Sequence, residues 1–232
     1  WLVGMPIHEL VYSWMGFLVL TIAGERLELS RMMSHRSVAR QYFNGAAAVF
    51  MVGLVAVFLV PDAGVRLLGV GLIALAVWLM RYDIARRTVK TQDLPQYIAV
   101  CLLTGYAWMA AGGLMLLAYG ARFAGPVYDA ALHAVFVGFV MAMIFGHAPI
   151  IFPSVLNLPI AYRPIFYSHL GLLHLSLIIR ITGDLAGLPG LRRWGGLLNA
   201  VSILLFLANT LYSVIAGPRS RGKTAGSRVA SG

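Results

Sequence analysis

Charge is what this sequence has least of. Only 11% of its 232 residues are Asp, Glu, Lys or Arg, where a soluble domain carries about 25%. That scarcity excludes an ordinary water-soluble domain. Acidic residues are rarer still, with eight Asp and Glu against eighteen Lys and Arg and a net charge of +10. Cysteine is nearly absent. With Cys101 alone, no intrachain disulfide can form and no cysteine cluster exists for zinc or iron–sulfur ligation. The sequence has no Gly-rich phosphate loop, no nucleophile elbow and no HExxH, so phosphoryl transfer, serine hydrolysis and zinc proteolysis have no motif to rest on. It also lacks the paired broken apolar segments of a transporter inverted repeat and the alternating ten-residue strands of a membrane β-barrel.

What remains is apolar: 60% of residues are hydrophobic and the mean hydropathy is +0.83. Runs of about 20 apolar residues are long enough to cross a bilayer. The expected fold is all-α, a polytopic transmembrane helical bundle of about seven spans, near residues 3–23, 42–60, 64–81, 94–119, 126–148, 165–183 and 194–216. One transmembrane domain then covers 1–217, and 218–232 is a disordered basic tail. Pro61-Asp62 marks a tight link, Gly125-Pro126 suits a helix start, and Pro149 is expected to end the fifth span. The chain opens at Trp1 and is apolar at once, so it is expected to be the C-terminal part of a longer bundle.

In a soluble protein the basic excess would suggest nucleic acid; here it sits between spans. Thirteen Lys and Arg follow spans one, three, five and seven, and five (Arg66, Arg122, Arg180, Arg192, Arg193) lie on the other side. The positive-inside rule then places the tail in the cytoplasm of a bacterial inner membrane, with the lipid bilayer as partner. The first connection, GERLELSRMMSHRSVARQ, reads either as a short interfacial helix or as a solvated basic loop. The link from Ala148 to Pro164 holds four prolines but one charge, so it must be buried in protein or line a cavity.

Four of the six histidines, His133, His147, His169 and His174, lie between Asp129 and Asp184 among apolar neighbours. An ionisable residue inside an apolar span marks a functional site by default, and histidine is the commonest metal ligand. On an α-helix, His133 and His147 return to within about 40° of one face, about 21 Å apart along the axis. That resembles the way cytochrome b proteins hold two haems, although no second helix here repeats the spacing. Gly138, Ala142 and Gly146 form a small-residue row for close helix packing. By depth, His8 pairs with His133 and His147 with His169 as candidate axial ligands. His174 is left for a separate metal or the middle of the bundle. His35 follows Met32 and Met33, a copper(I)-like group, but an interfacial loop explains it better. Glu9 beside His8 is either an imidazole partner or a headgroup-level charge. Asp129 is explained by the start of a helix, Arg180 and Asp184 by interfacial anchoring with a haem propionate as alternative partner, and the tryptophans by interface belts and packing.

The run DAALHAVFVGFVMAMIFGHAP resembles a segment of the NnrS-like membrane proteins, in which Asp-x-x-x-His-Ala opens a Gly- and Met-containing helix. VLTIAGERLELSR resembles that family's Gly-Arg-ending helix, with Glu25 between Gly24 and Arg26. The resemblance touches about a third of the chain. It implies a bundle binding b-type haem, with copper as a second metal, related to haem–copper oxidase subunit I and linked to nitric oxide metabolism. His133 is its best-matched position. Two function classes follow: a haem-binding protein of electron transfer or nitric-oxide-related redox chemistry, or a metal-free accessory or scaffold subunit of a larger respiratory or oxidative complex.

Overall fold

The computed structural model describes residues 7–30, 36–156 and 162–215. Every element among them is helical: α1 Ile7–Ser30, α2 Arg36–Leu59, α3 Pro61–Tyr82, the single turn α4 Ala85–Thr88, α5 Asp93–Tyr119, α6 Pro126–Leu132, α7 Met141–Leu156, α8 Phe166–Leu185 and α9 Pro189–Ile215. A π-helical segment, His133–Val140, joins α6 to α7 without a break. The protein is an all-α bundle of seven long rods, as expected. Six are long and apolar enough to cross a membrane. The seventh, α8, carries His169, His174, Arg180 and Asp184 within twenty residues.

Proline places the helix starts as the sequence suggests. Pro61 and Pro126 stand in the first turns of α3 and α6, where a missing N–H costs nothing. Gly125 precedes α6 with φ 94°, a conformation open to glycine. Pro149 behaves differently. It does not end the fifth span: α7 runs through Pro149 and Pro153 to Leu156. Ending a helix in an apolar surrounding would strand several backbone groups, whereas a proline within it removes one hydrogen bond.

α5 is the central rod, packed against α3, α4, α6, the π segment and α7. The small-residue row does face it: a side chain at Gly138 would strike Trp108, and one at Gly146 would press on Cys101. The core falls into two clusters. One fills the space between α1, α2, α3, α5 and the π segment. The other joins α5 and α7 to α8 and α9, around Phe145, Phe166 and Phe206. The expectations on the side chains of His8 and Glu9, on Met32, Met33 and His35, on most of the Ala148–Pro164 link beyond Leu156 and on the 218–232 tail lie outside the described residues.

Candidate functional site

The π segment decides what the histidines face. An i→i+5 hydrogen bond adds a residue to each turn, so the phase computed at 100° per residue does not carry from His133 to His147. The two do not share a face, which corrects the expectation of one imidazole-bearing stripe. His133 belongs to a polar cluster at one end of the bundle, with α8 and α9. His147 belongs to a cluster at the other end, with α1.

At the His133 end, Asp129 is the node. Its Oδ2 accepts hydrogen bonds from Arg180 Nη2 at 2.5 Å and Arg192 Nη2 at 3.1 Å. Arg192 Nε lies 3.0 Å from Asp184 Oδ1, and Arg180 Nε 3.9 Å from Asp184 Oδ2. α9 reaches this position because Gly183 and Gly195 let the helices touch: side chains there would strike the backbones of Arg192 and Arg180. His133 Nδ1 donates to the Asp129 carbonyl at 2.8 Å, one turn back. Asp129 is thus more than a favourable charge at a helix start, and Arg180 and Asp184 are more than interfacial anchors. Together they form a two-carboxylate, two-guanidinium cluster in which Asp184 is 3% exposed. Such a group is tolerated out of water only because its charges compensate each other.

At the other end, Arg26 from α1 donates to His147 Nε2, while His147 Nδ1 donates to the Met143 carbonyl at 2.6 Å. Arg26 is buried. Nearby Asp83, also buried, accepts from Tyr106 Oη at 2.7 Å through Oδ2 and from the Ala85 backbone at 2.7 Å through Oδ1.

The remaining two histidines face inward from α8. His169 is fully engaged. Its Nε2 pairs with Tyr97 Oη at 2.9 Å, its Nδ1 accepts from Asn209 Nδ2 at 3.1 Å, and Phe145, Phe166 and Phe206 enclose the ring. His174 Nδ1 accepts from Trp108 Nε1 at 3.0 Å, and its Nε2 is buried without a partner. Gly138 makes this pair feasible, since only a glycine leaves room for the Trp108 ring.

The expected pairing of His147 with His169 is therefore not assembled, and that of His8 with His133 lies outside the described side chains. His147 meets Arg26 rather than His169, and His169 meets Tyr97 and Asn209. Among the described residues, no group of three or more His, Cys, Asp or Glu side chains is placed to hold one metal ion. Among the described histidines, His133 Nε2 is left with a free lone pair that no described residue bonds. His174 Nε2 also has no partner but carries the ring proton, because Nδ1 accepts from Trp108.

Sequence reasoning passed over the partners. Trp78 and Trp108 pack as expected and are hydrogen-bonded as well; Trp78 Nε1 donates to the Ala39 carbonyl at 2.7 Å. Asn199, Ser202, Asn209 and Ser213 recur on one buried stripe of α9, a spacing visible in the sequence and a usable signal. Asp83 stands out as an acid in a basic connection. Arg26 and Tyr106 carry no such mark.

The profile of a domain of unknown function, DUF8744, matches residues 1–215, and the chain belongs to that family. No similar curated protein and no similar solved structure was found.

Proposed function

We propose that this DUF8744 protein is a multi-pass membrane protein that holds a b-type haem on His133 and serves electron transfer or nitric-oxide-related redox chemistry. The observation that supports it is the state of the His133 ring. Nδ1–H is fixed by the Asp129 carbonyl, and Nε2 is left open. A ligating histidine typically donates its other ring N–H to a backbone carbonyl or carboxylate, which sets its tautomer and orientation. Arg180 and Arg192 stand beside it, suited to the carboxylates on a haem edge. His174 ranks behind it: Nδ1 accepts from Trp108, so Nε2 carries the ring proton and ligation would require giving up that hydrogen bond. His147 and His169 would each have to give up a hydrogen bond, so they are not carried forward as ligands. The haem would supply one-electron chemistry, and the chain's part is to hold, orient and shield it. The resemblance to NnrS-like proteins points the same way.

The second reading is a metal-free accessory subunit. The saturated rings of His147 and His169 favour it, because they use histidine as interhelical glue. A reduced-minus-oxidised visible spectrum, with haem and copper quantified on purified wild type and His133→Ala, separates the two. The haem reading expects sharp bands in wild type and their loss in His133→Ala, with the variant still inserted. Wild type with neither haem nor copper leaves the accessory subunit. Haem unchanged in His133→Ala moves the ligand to His8 or His174. We also place the protein in a bacterial inner membrane with the tail cytoplasmic; a tail reporter active only in the periplasm would reject this.

A further inference from the structure

We propose that the corner formed by the end of α3, α4 and the start of α2 is a docking surface for anionic phospholipid headgroups. Five cations, Arg40, Arg81, Arg86, Arg87 and Lys90, are exposed there. Trp78 ties α2 to α3 through the Ala39 carbonyl, which brings Arg40 to the same end as Arg81. α4 is anchored rather than loose. Asp83, 2% exposed, accepts from the Ala85 backbone and from Tyr106. Ala85 and Val89 face the core, and Gln96 Nε2 donates to the Val89 carbonyl at 3.4 Å. The turn therefore buries its apolar positions and turns Arg86, Arg87 and Lys90 outward. Asp62, Asp129 and Asp184 hold their ion pairs at the opposite end. Positive charge is thus held at the end of apolar rods, at the depth of lipid phosphates.

Charge complementarity selects the occupant. A juxtamembrane cluster of cations attracts anionic lipid strongly enough that each Lys or Arg is worth roughly fivefold in binding. Removing three should cost roughly a hundredfold if the contributions add.

The test uses the full chain in nanodiscs of phosphatidylcholine doped with brominated phosphatidylglycerol or brominated phosphatidylcholine, read by quenching of tryptophan fluorescence. Wild type should prefer the anionic lipid, and the preference should weaken at high salt. Arg86→Gln/Arg87→Gln/Lys90→Gln should lose it; all three side chains are exposed, and circular dichroism checks the fold. Arg122→Gln/Arg193→Gln, which removes two exposed cations at the other end, should keep it. An unchanged preference in the triple variant overturns the proposal, as does an equal loss in the control variant. Displacement by millimolar inorganic phosphate would make this a free-anion site instead, and absence of any preference in wild type would leave the cations to an acidic protein partner.

Discussion

In the α2–α3 hairpin the helices meet backbone to backbone, whereas α8 and α9 do so only near Gly183 and Gly195 and are joined along the rest of their length by side-chain hydrogen bonds. Gly53, Gly64 and Gly71 give α2–α3 its closeness: side chains there would run into the backbones of Leu68, Val57 and Phe50. One polar side chain adds to it, Trp78 Nε1 donating to the Ala39 carbonyl. Along α8–α9, Ser176 donates to Asn199 at 2.5 Å, Ser202 to the His169 carbonyl at 2.8 Å and Asn209 to Ser168 at 3.1 Å, while Leu204, Leu207, Leu211 and Ile215 turn outward. Both are ways to join helices where lipid is as apolar as leucine and hydrophobic burial gives little. The difference is in what each leaves for chemistry. A glycine seam is inert. A polar seam holds an imidazole in a fixed tautomer: His169 sits on it, while His174 of the same helix turns to Trp108 of α5.

The comparison can be broken from its strongest side first. Gly64→Leu should force α2 and α3 apart against backbone atoms that cannot yield, costing about 3 kcal/mol; thermal unfolding in detergent should show a large drop or no folded protein. A wild-type-like melting curve would mean the helices are not in contact there.

Asp129→Asn comes next. It leaves Arg180 and Arg192 facing a neutral amide, and Asp129 is 24% exposed, between the buried and surface limits. A loss of about 1–3 kcal/mol is expected, with His133 less firmly held. A fully tolerated substitution would show that solvent already screens the cluster.

Asn209→Leu removes the donor to His169 and Ser168 and should cost about 1 kcal/mol, within the range of polar contacts between membrane helices. Trp108→Phe keeps the packing against Gly138 but strips the donor from His174, with a similar loss in the same unfolding assay. The smallest effect belongs to Ser176→Ala, about 0.6 kcal/mol, the average for a polar contact between membrane helices, because a single hydroxyl bond to Asn199 is lost. If this last variant proved as costly as Gly64→Leu, the polar seam rather than the glycine seam would be the stronger joint.

Much of this architecture was legible in advance. Six of the seven rods announce themselves by hydropathy, and Pro61 and Pro126 mark starts where they stand. The tight α5 contact follows from Gly138, Ala142 and Gly146. The α9 stripe was readable too, since Asn199, Ser202 and Asn209 recur at helical spacing. Pro149 misled, because a proline's meaning depends on whether the freed carbonyl has water to turn to.

The sequence by itself determined that the chain is an all-α bundle, because apolar runs of this length leave backbone groups only one way to be satisfied. It also determined that histidines sit inside the bundle. The tertiary structure alone decided which of them are spoken for. Arg26 reaches His147 across 121 positions and Tyr97 reaches His169 across 72, separations that local periodicity does not encode. The π segment then shifts the helical phase between His133 and His147. Face assignment adds up small rotations residue by residue, so eight residues of altered winding were enough to send the two imidazoles to different neighbours.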